Sequence, residues 1–549
     1  MSLVQVIPLG GCGEIGKNCT AVVQGEDVIL VDCGLSFPHE EQYGVDIVIP
    51  DFTWIVENKA KIRGLFLTHA HEDHIGAVSY LLKEVDIPIF ASAFTEAMLK
   101  MKVFEKDRNL EPRIIRMVPG DKVKVGGLTV EPVQVTHSIP ETYALSVGTE
   151  HGILLFTADF KFDFSPVDGK TSDIRRLAEL GEEGVLLLLS DSTNIDRKGW
   201  GPSESIVGDG LKDIFLEAPG RVMLTTFSSN IHRMQQAFDA AHATGRKVAI
   251  AGRRMDATVN MCQSLNYLKI PKGTYQRLED VSKVPANELV ILVTGSQGEP
   301  SAALSQMSRK EYSRLKIVPG DTILYSARPI PGNEGSIYRT VNKLVQLGAR
   351  VVLEHDRPIH ASGHGHQEEL KMMVNLTKPF YVAPVHGEPR HQVLFEEMLV
   401  GMGHPKHRIF KLGNGDSLYI DDNKAWIGEG VQAGEVLLDQ SAGVRVTEDV
   451  LSDRYHMAHN GVVVVTVTVD KKGKCFVGKP LLTAAGFCGT DEDVDEVTRQ
   501  VVDQISHMKP DEIINRPVLE DQLIDPVRRS MGRMFRQKPV VIPVILGLD

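Results

Sequence analysis

The chain has 549 residues, 42% of them hydrophobic and 24% charged, with a formal net charge of −12. That length exceeds one ordinary core and predicts roughly two to four domains of globular composition. With no run of about 18 uncharged apolar residues, no membrane-spanning helix is expected, and the negative charge excludes a surface that coats nucleic acid all over, though not a local basic channel.

The opening "MSLVQVIPLGG" lacks a basic segment leading into a long apolar one and is not expected to be a secretory signal. From Val4 to about residue 160, short apolar runs with strand periodicity alternate with turn residues: "VIPLGG", "AVVQG", "VILVDCG", "GLFLT", "PIFAS", "LTVEPVQVT" and "ILLFTAD". The Gly-rich "GGCGEIG" lacks the following helix and distant acid of a dinucleotide loop, so it reads as a tight turn. A helical patch follows His74, with Ile75, Val78, Leu82 and Val85 near one face, and the strand "VLLLLSD" ends at Asp191. Over 206–358, apolar strands ("RVMLTTF", "KVAIAG", "LVILVTG", "TILYSA", "RVVLEH") alternate with helical stretches, the pattern of a parallel α/β unit. "HASGHGHQEELKMMV" and "FYVAPVHGE" then return to histidines at the ends of apolar runs, so 206–358 reads as an insertion into a first domain formed by 1–205 and 359–430. A Gly-rich linker is expected over 431–452. A small C-terminal α/β domain over 453–549 follows, with the strand "GVVVVTVTV", an acidic helix, a basic helix carrying Arg528, Arg529, Arg533 and Arg536, and the strand "VVIPVIL". The basic run reads as a solvated or subunit-facing surface. Six cysteines (Cys12, Cys19, Cys33, Cys262, Cys475, Cys488) form no C-x-x-C pair and imply no disulfide framework, which points to a reducing, cytoplasmic location.

The informative pattern is where metal-binding side chains fall. His69, His71, Asp73 and His74 follow "GLFLT", His137 follows "VEPVQVT", Asp159 ends "ILLFTA", Asp191 ends "VLLLLS", and His386 follows "YVAPV". Each lies just past an apolar run, so a sheet would deliver all of them to one edge. In an extended segment, residues two apart point the same way, so His69 and His71 can face one ion while Asp73 and His74 turn toward another. Imidazole with carboxylate suits Zn²⁺, and Mn²⁺ where carboxylate contributes more. Isolated histidines such as His39, His151, His242 and His404 read as ordinary surface or core residues.

These residues resemble the motifs of the metallo-β-lactamase superfamily. The resemblance implies an α/β fold, an αββα sandwich with two metal ions at one edge. His69, His71 and His137 would hold one ion, Asp73, His74 and His386 the other, and Asp159 would bridge them. The insertion, with "LLSDSTN", "ASGHG" and "PVHGE", resembles the β-CASP nucleases, in which a histidine at the position of His386 goes with RNA-processing members. The wording "PLGGCGEIGKN", "TFSSN", "TGSQGEP", "PIPGNEG", "HASGHGHQEEL" and "RQKPVVIPVIL" is similar to the ribonuclease J family from Val4 onward.

That resemblance implies a 5′-to-3′ exoribonuclease acting on single-stranded RNA. It also implies a preference for 5′-monophosphate ends, endonuclease activity in some members, RNA-degradation partners and a homodimer assisted by the C-terminal domain. His364 would serve the leaving oxygen, oriented by Asp191, with Asp73 part of the catalytic group. Ser229, Asn230, Ile231, His360, Ala361, Ser362, Gly363 and His364 would line the RNA and 5′-phosphate path. An extra structural Ca²⁺ or Mn²⁺ would take Gly44, Asp46 and Asp439, oxygen ligands suited to such ions. Two other readings are a small-ester or thioester hydrolase on the same site and a non-catalytic RNA-binding scaffold. The long insertion argues against the first, and the complete ligand set against the second.

Overall fold

A computed structural model describes residues 3–548 apart from 40, 107–109, 331, 423, 440–442, 471, 473–474, 487–489 and 537; Cys488 therefore lies outside the described residues. The chain divides into two units, 1–36 with 48–436, and 37–47 with 437–549.

In the first unit an eight-stranded and a six-stranded sheet lie face to face. Val6, Val22, Ile29 and Phe66 of one sheet share a core with Val130, Leu145, Leu154, Leu187 and Ala383 of the other. The outer face of the six-stranded sheet, through Leu155, Leu188 and Val382, meets Leu177 and Leu180 of the helix Ile174–Glu183, Leu370 and Met373 of Gln367–Thr377, and Phe395 and Leu399 of Pro389–Gly401. Helices Thr53–Glu57, Val78–Glu84 and Ala93–Lys106 are interleaved with strands of the eight-stranded sheet and bury Ile55, Val78, Leu81, Phe94 and Leu99. This is the expected αββα sandwich. "VLLLLSD" lacks alternation because its strand, Val185–Asp191, is covered on both faces. The strand Thr142–Thr149 of the same sheet is not among the runs read from the sequence. It too is covered on both faces, and its Thr, Ser and Gly residues break up the apolar signal.

The register shows why the α/β unit counts as an insertion. Val185–Asp191 pairs in parallel with Tyr381–Val385, Asp191 opposite Val385. Between these two adjacent strands the chain departs and builds a five-stranded sheet whose pairings are all parallel, from Lys247–Ala251, Leu289–Val293, Val222–Thr225, Thr322–Tyr325 and Arg350–Val352. That sheet has its own core around Ile291, Val293, Ile323 and Leu344. Both ends of the insertion thus meet at the sheet edge that carries Asp191 and His386.

The second unit centres on Val462–Asp470, whose residues alternate between buried and partly exposed. Val463, Val465, Val467 and Val469 pack with Val497, Val501, Leu519, Leu523 and Met531 of two helices, Asp491–Ser506 and Arg516–Phe535. Arg528, Arg529, Arg533 and Arg536 are exposed, as expected. The predicted linker requires correction. It contains the paired strands Glu435–Asp439 and Val444–Val446 and the start of the helix Glu448–Asn460. Strands this short, set among glycines, show no period, and only their pairing in a three-stranded sheet defines them. Among the described residues no helix is long and apolar enough to cross a membrane.

Candidate metal centre

Local folding brings the strand-end residues to one point. The loop after Ile62–Phe66 is pinned by Asp32, which accepts hydrogen bonds from the Thr68 N–H and hydroxyl, each 2.8 Å, and lies 2.7 Å from His74 Nδ1. Backbone bonds from Cys33 N–H to the His74 carbonyl (2.8 Å) and from Asn18 N–H to the Asp73 carbonyl (2.9 Å) hold the other side. The fit leaves no room at Gly34, where a Cβ would stand 1.6 Å from the Asp73 carbonyl oxygen. Asp32, Ala158 and His386 all have left-handed backbones, with φ of 60°, 56° and 51°. Such strain costs about 1–3 kcal/mol per residue and persists where surrounding contacts over-determine it. Here it turns each strand end toward the centre.

Three groups of four donors result, each with its ligand atoms within 4.8 Å of one another; one is Asp159, Asp191, His364 and His386, and the two built only from the expected ligands are His69, His71, His137 and Asp159, and Asp73, His74, Asp159 and His386. Asp159 belongs to all three. Its Oδ2 is 3.6 Å from His69 Nε2, 3.7 Å from His137 Nε2 and 3.3 Å from His74 Nε2, and its Oδ1 is 2.9 Å from His386 Nδ1. Asp73 Oδ2 is 3.2 Å from His386 Nε2. In the histidine-rich group, His71 Nδ1 lies 3.1 Å from both His69 Nε2 and His137 Nε2. One ring proton can serve only one of those contacts, whereas a cation placed among the nitrogens would satisfy all of them. The donor set therefore fits a divalent ion in each group.

Groups around the ligands set their orientation. His137 donates through Nδ1 to the Gly363 carbonyl (2.7 Å), and Asp32 holds His74 Nδ1, so both rings turn Nε2 inward. Burial pushes the pKa of His69 and His137 well below the usual imidazole range and that of His71 down to about 4, which keeps these rings neutral and fit to bind a cation. Burial opposes charge on His74 and His386 too. There the carboxylates of Asp159, Asp32 and Asp73 outweigh it around His74, and those of Asp159 and Asp73 around His386, raising His74 well above its ordinary value and His386 to about 10.

Next to the shared carboxylate stands a dyad. His364 Nδ1 is 2.8 Å from Asp191 Oδ2, and its Nε2 faces Asp159 Oδ2 at 3.9 Å. Burial works against protonating His364, but Asp191 and Asp159 overcome it and raise its pKa. Asn194 fixes the loop by donating to Ser362 Oγ (2.8 Å) and to the His364 carbonyl (3.0 Å).

The expected phosphate-binding residues separate into two kinds. Ser229 is partly exposed, whereas Asn230 is the N-cap of the helix Ile231–Ala243 and accepts from Arg233 N–H at 3.0 Å. Ile231 is fully buried, and its N–H already donates to the Ser229 carbonyl. Asn230 and Ile231 thus shape the turn, and Ser229 is the one whose side chain keeps solvent access. Ala361 is buried and Gly363 orients His137, while the His360 Nδ1 is buried without a hydrogen-bond partner. Ser362, through its carbonyl, takes the Lys161 ammonium at 3.3 Å.

The oxygens read as an extra ion site lie in the second unit, and Arg454 sits among them. Its guanidinium donates to the Gly44 carbonyl at 2.9 Å and the Tyr43 carbonyl at 3.1 Å, and lies 3.4 Å from Asp439 Oδ2. A side-chain cation fills the position that the sequence reading gave to Ca²⁺ or Mn²⁺ on Gly44, Asp46 and Asp439. Sequence reasoning also passed over Asp32, Asn194 and Lys161. Asp32 ends the run "VILVD" as Asp159 and Asp191 end theirs, a signal that was available.

Family profiles match four stretches: the metallo-β-lactamase superfamily over 12–200, the ribonuclease J β-CASP domain over 219–344, a Zn-dependent metallo-hydrolase RNA specificity domain over 349–409, and the ribonuclease J C-terminal domain over 449–548. Ribonuclease J 1 of Streptococcus pyogenes is 36% identical over 100% of this chain and 98% of its own length. The chain belongs to the ribonuclease J family. Two further ribonuclease J relatives agree, from Thermus thermophilus at 37% identity (99% of this chain, 95% of the relative) and ribonuclease J2 of Bacillus subtilis at 34% (99% and 98%). A crystal structure of a protein of unknown function from Enterococcus faecalis shares the fold at TM-score 0.55 and 17% identity, over 76% of this chain and 100% of its own. The ribonuclease J fold accounts for the inserted sheet, and its metallo-hydrolase part for the two donor groups.

Proposed function

We propose that this protein is a metal-dependent ribonuclease that degrades and matures single-stranded RNA from the 5′ end and prefers a 5′-monophosphate. The observation that carries the reading is the His364–Asp191 dyad set beside a carboxylate shared by two four-donor groups. Zn²⁺ or Mn²⁺ ions held by His69, His71, His137 and Asp159 and by Asp73, His74, Asp159 and His386 would supply Lewis-acid stabilisation of the scissile phosphate and activation of water. Asp191 holds His364 Nδ1 so that the protonated Nε2 can donate to the leaving 3′-oxygen. Water adds to phosphorus as the P–O3′ bond breaks, so the product downstream again begins with a 5′-monophosphate. The Ser229 hydroxyl, His360 and the 362–364 loop are suited to receive that terminal phosphate. The chain would act as a homodimer in the cytoplasm, with RNA-degradation partners.

The test uses one 5′-labelled single-stranded RNA in monophosphate and triphosphate forms, with Mn²⁺ or Zn²⁺, beside His364→Ala and a double Asp73→Ala/His74→Ala variant. Early release of labelled mononucleotide from the monophosphate form alone, lost in both variants, is the expected result. Internal fragments from both forms would make the enzyme an endonuclease and remove the end-sensing role. No cleavage with either ion would overturn the reading.

A further inference from the structure

The segment "DFKFDFSP" places three phenylalanines at alternate positions, 160, 162 and 164. The first two are buried at 0% and 4% exposure, but Phe164 is 63% exposed. Beside it lies Trp200, 51% exposed, with ring centroids 6.4 Å apart and planes inclined at 50°. Two large aromatic side chains in water contribute little to folding, yet their backbones are firmly held. Asp163 accepts from Ser203 Oγ (2.7 Å) and from the Glu204 N–H (2.8 Å), and the Ser165 carbonyl accepts from Ser203 Oγ (3.3 Å). On the other side of the pair, the Gly201 N–H donates to Glu369 Oε2 at 2.7 Å, and the Gly199 carbonyl accepts from the Glu368 N–H at 3.1 Å.

The same braces run to the metal centre. Lys161, two residues from Asp159, is paired through its backbone with Thr136, next to His137, and its ammonium donates to the carbonyls of Pro202 (2.7 Å) and Ser362 (3.3 Å). Arg197 and Lys198 are exposed and lie three and two residues before Trp200, Arg197 with its Nε 3.9 Å from Asp196. Rigid exposed rings beside cations are the elements with which proteins bind single strands without reading sequence: bases stack on the rings while the backbone follows positive charge.

We infer that Phe164 and Trp200 form a stacking platform for unpaired bases of the RNA, outside the metal centre and joined to it through Lys161. The inference builds on the ribonuclease reading above and names a further subsite for its substrate. Such a platform holds nucleotides beyond the scissile bond, favours unpaired RNA and tolerates any base. Double-stranded segments, whose bases are already stacked, gain nothing from it.

The test compares the full-length protein with Phe164→Ala, Trp200→Ala and the double variant, using RNAs of increasing length and a set in which one nucleotide at a time lacks its base. Loss of one base–ring stack corresponds to about a fivefold to 150-fold weakening. Each single variant should raise KM for long RNA by at least about fivefold, with the shortest substrates much less affected. In the parent, removing one base at a particular position should weaken binding. In the double variant that position should no longer matter. RNA should also quench the fluorescence of Trp200, read as the difference between the parent and Trp200→Phe. Identical base-removal profiles in parent and double variant would overturn the platform while leaving the ribonuclease reading intact. So would a change in sedimenting mass with RNA affinity unaltered, which would make the pair a protein contact. A parent that neither binds nor cleaves RNA would sink both readings.

Discussion

The two halves of the metal centre share Asp159 and have four donors each, but they are built from different chemistry and held by different parts of the chain. The first half adds three imidazoles, His69, His71 and His137, and its geometry depends on the Gly363 carbonyl beyond the inserted domain. The second adds Asp73, His74 and His386, and its geometry depends on Asp32 from the N-terminal strands. Imidazole-rich sites favour Zn²⁺, while more carboxylate admits Mn²⁺. The comparison teaches that two donor groups sharing one carboxylate need not be symmetric: each can be tuned through its own supporting partner.

The largest effect is expected at the shared ligand. Asp159→Ala should remove both ions and lower RNA cleavage by at least about 10³-fold, since metal stabilisation of developing charge amounts to several kcal/mol. Metal content by mass spectrometry would check it, and retention of both ions would show that Asp159 does not join the halves. Next, the double variant Asp73→Ala/His74→Ala should keep the ion of the histidine-rich half and lose the other, so that one equivalent of Zn²⁺ per chain remains. Loss of both would mean the halves cannot be filled separately.

Smaller effects should come from the supports. Asp32→Asn should weaken the ion at His74 by about 10- to 100-fold in a chelator competition, with a smaller effect on the histidine-rich half passed on through Thr68, whose hydroxyl lies 3.0 Å from His69 Nδ1. Gly363→Ala should do the reverse, because its Cβ would stand 2.6 Å from the His137 ring. If either substitution affected both ions equally, the halves would be coupled rather than independent. The smallest effect concerns the second unit. Arg454→Ala should lower its stability by about 1 kcal/mol, a partly exposed guanidinium being worth little more. Hydrogen exchange over 37–47 should rise in that variant and stay constant when divalent ions are chelated. A response to the chelator would restore an ion to Gly44, Asp46 and Asp439.

Much of this was legible in the chain itself. The crowded "HAHEDH" after one apolar run, with single histidines or acids after others, is a pattern of strand ends, and strands deliver their ends to one edge. The return of such a pattern after 206–358 marked an insertion, because flanking segments that share a site must be neighbours. Short elements were harder: the paired strands over 435–446 have too few residues to show a period.

What the sequence by itself determined, then, was the set of candidate ligands, the order of domains and the family resemblance, all of which depend on residue type and local periodicity. Tertiary structure alone decided which groups support the ligands. His137 and its carbonyl partner at Gly363 are 226 residues apart, and His74 and Asp32 are 42 apart. It also turned Asn230 into a helix cap, placed Arg454 among the oxygens expected to hold an ion, and left Phe164 in water while burying Phe160 and Phe162. The physical reason is the same in each case. A side chain's type limits what it can bond, but its partner is set by packing between segments that the local sequence does not record.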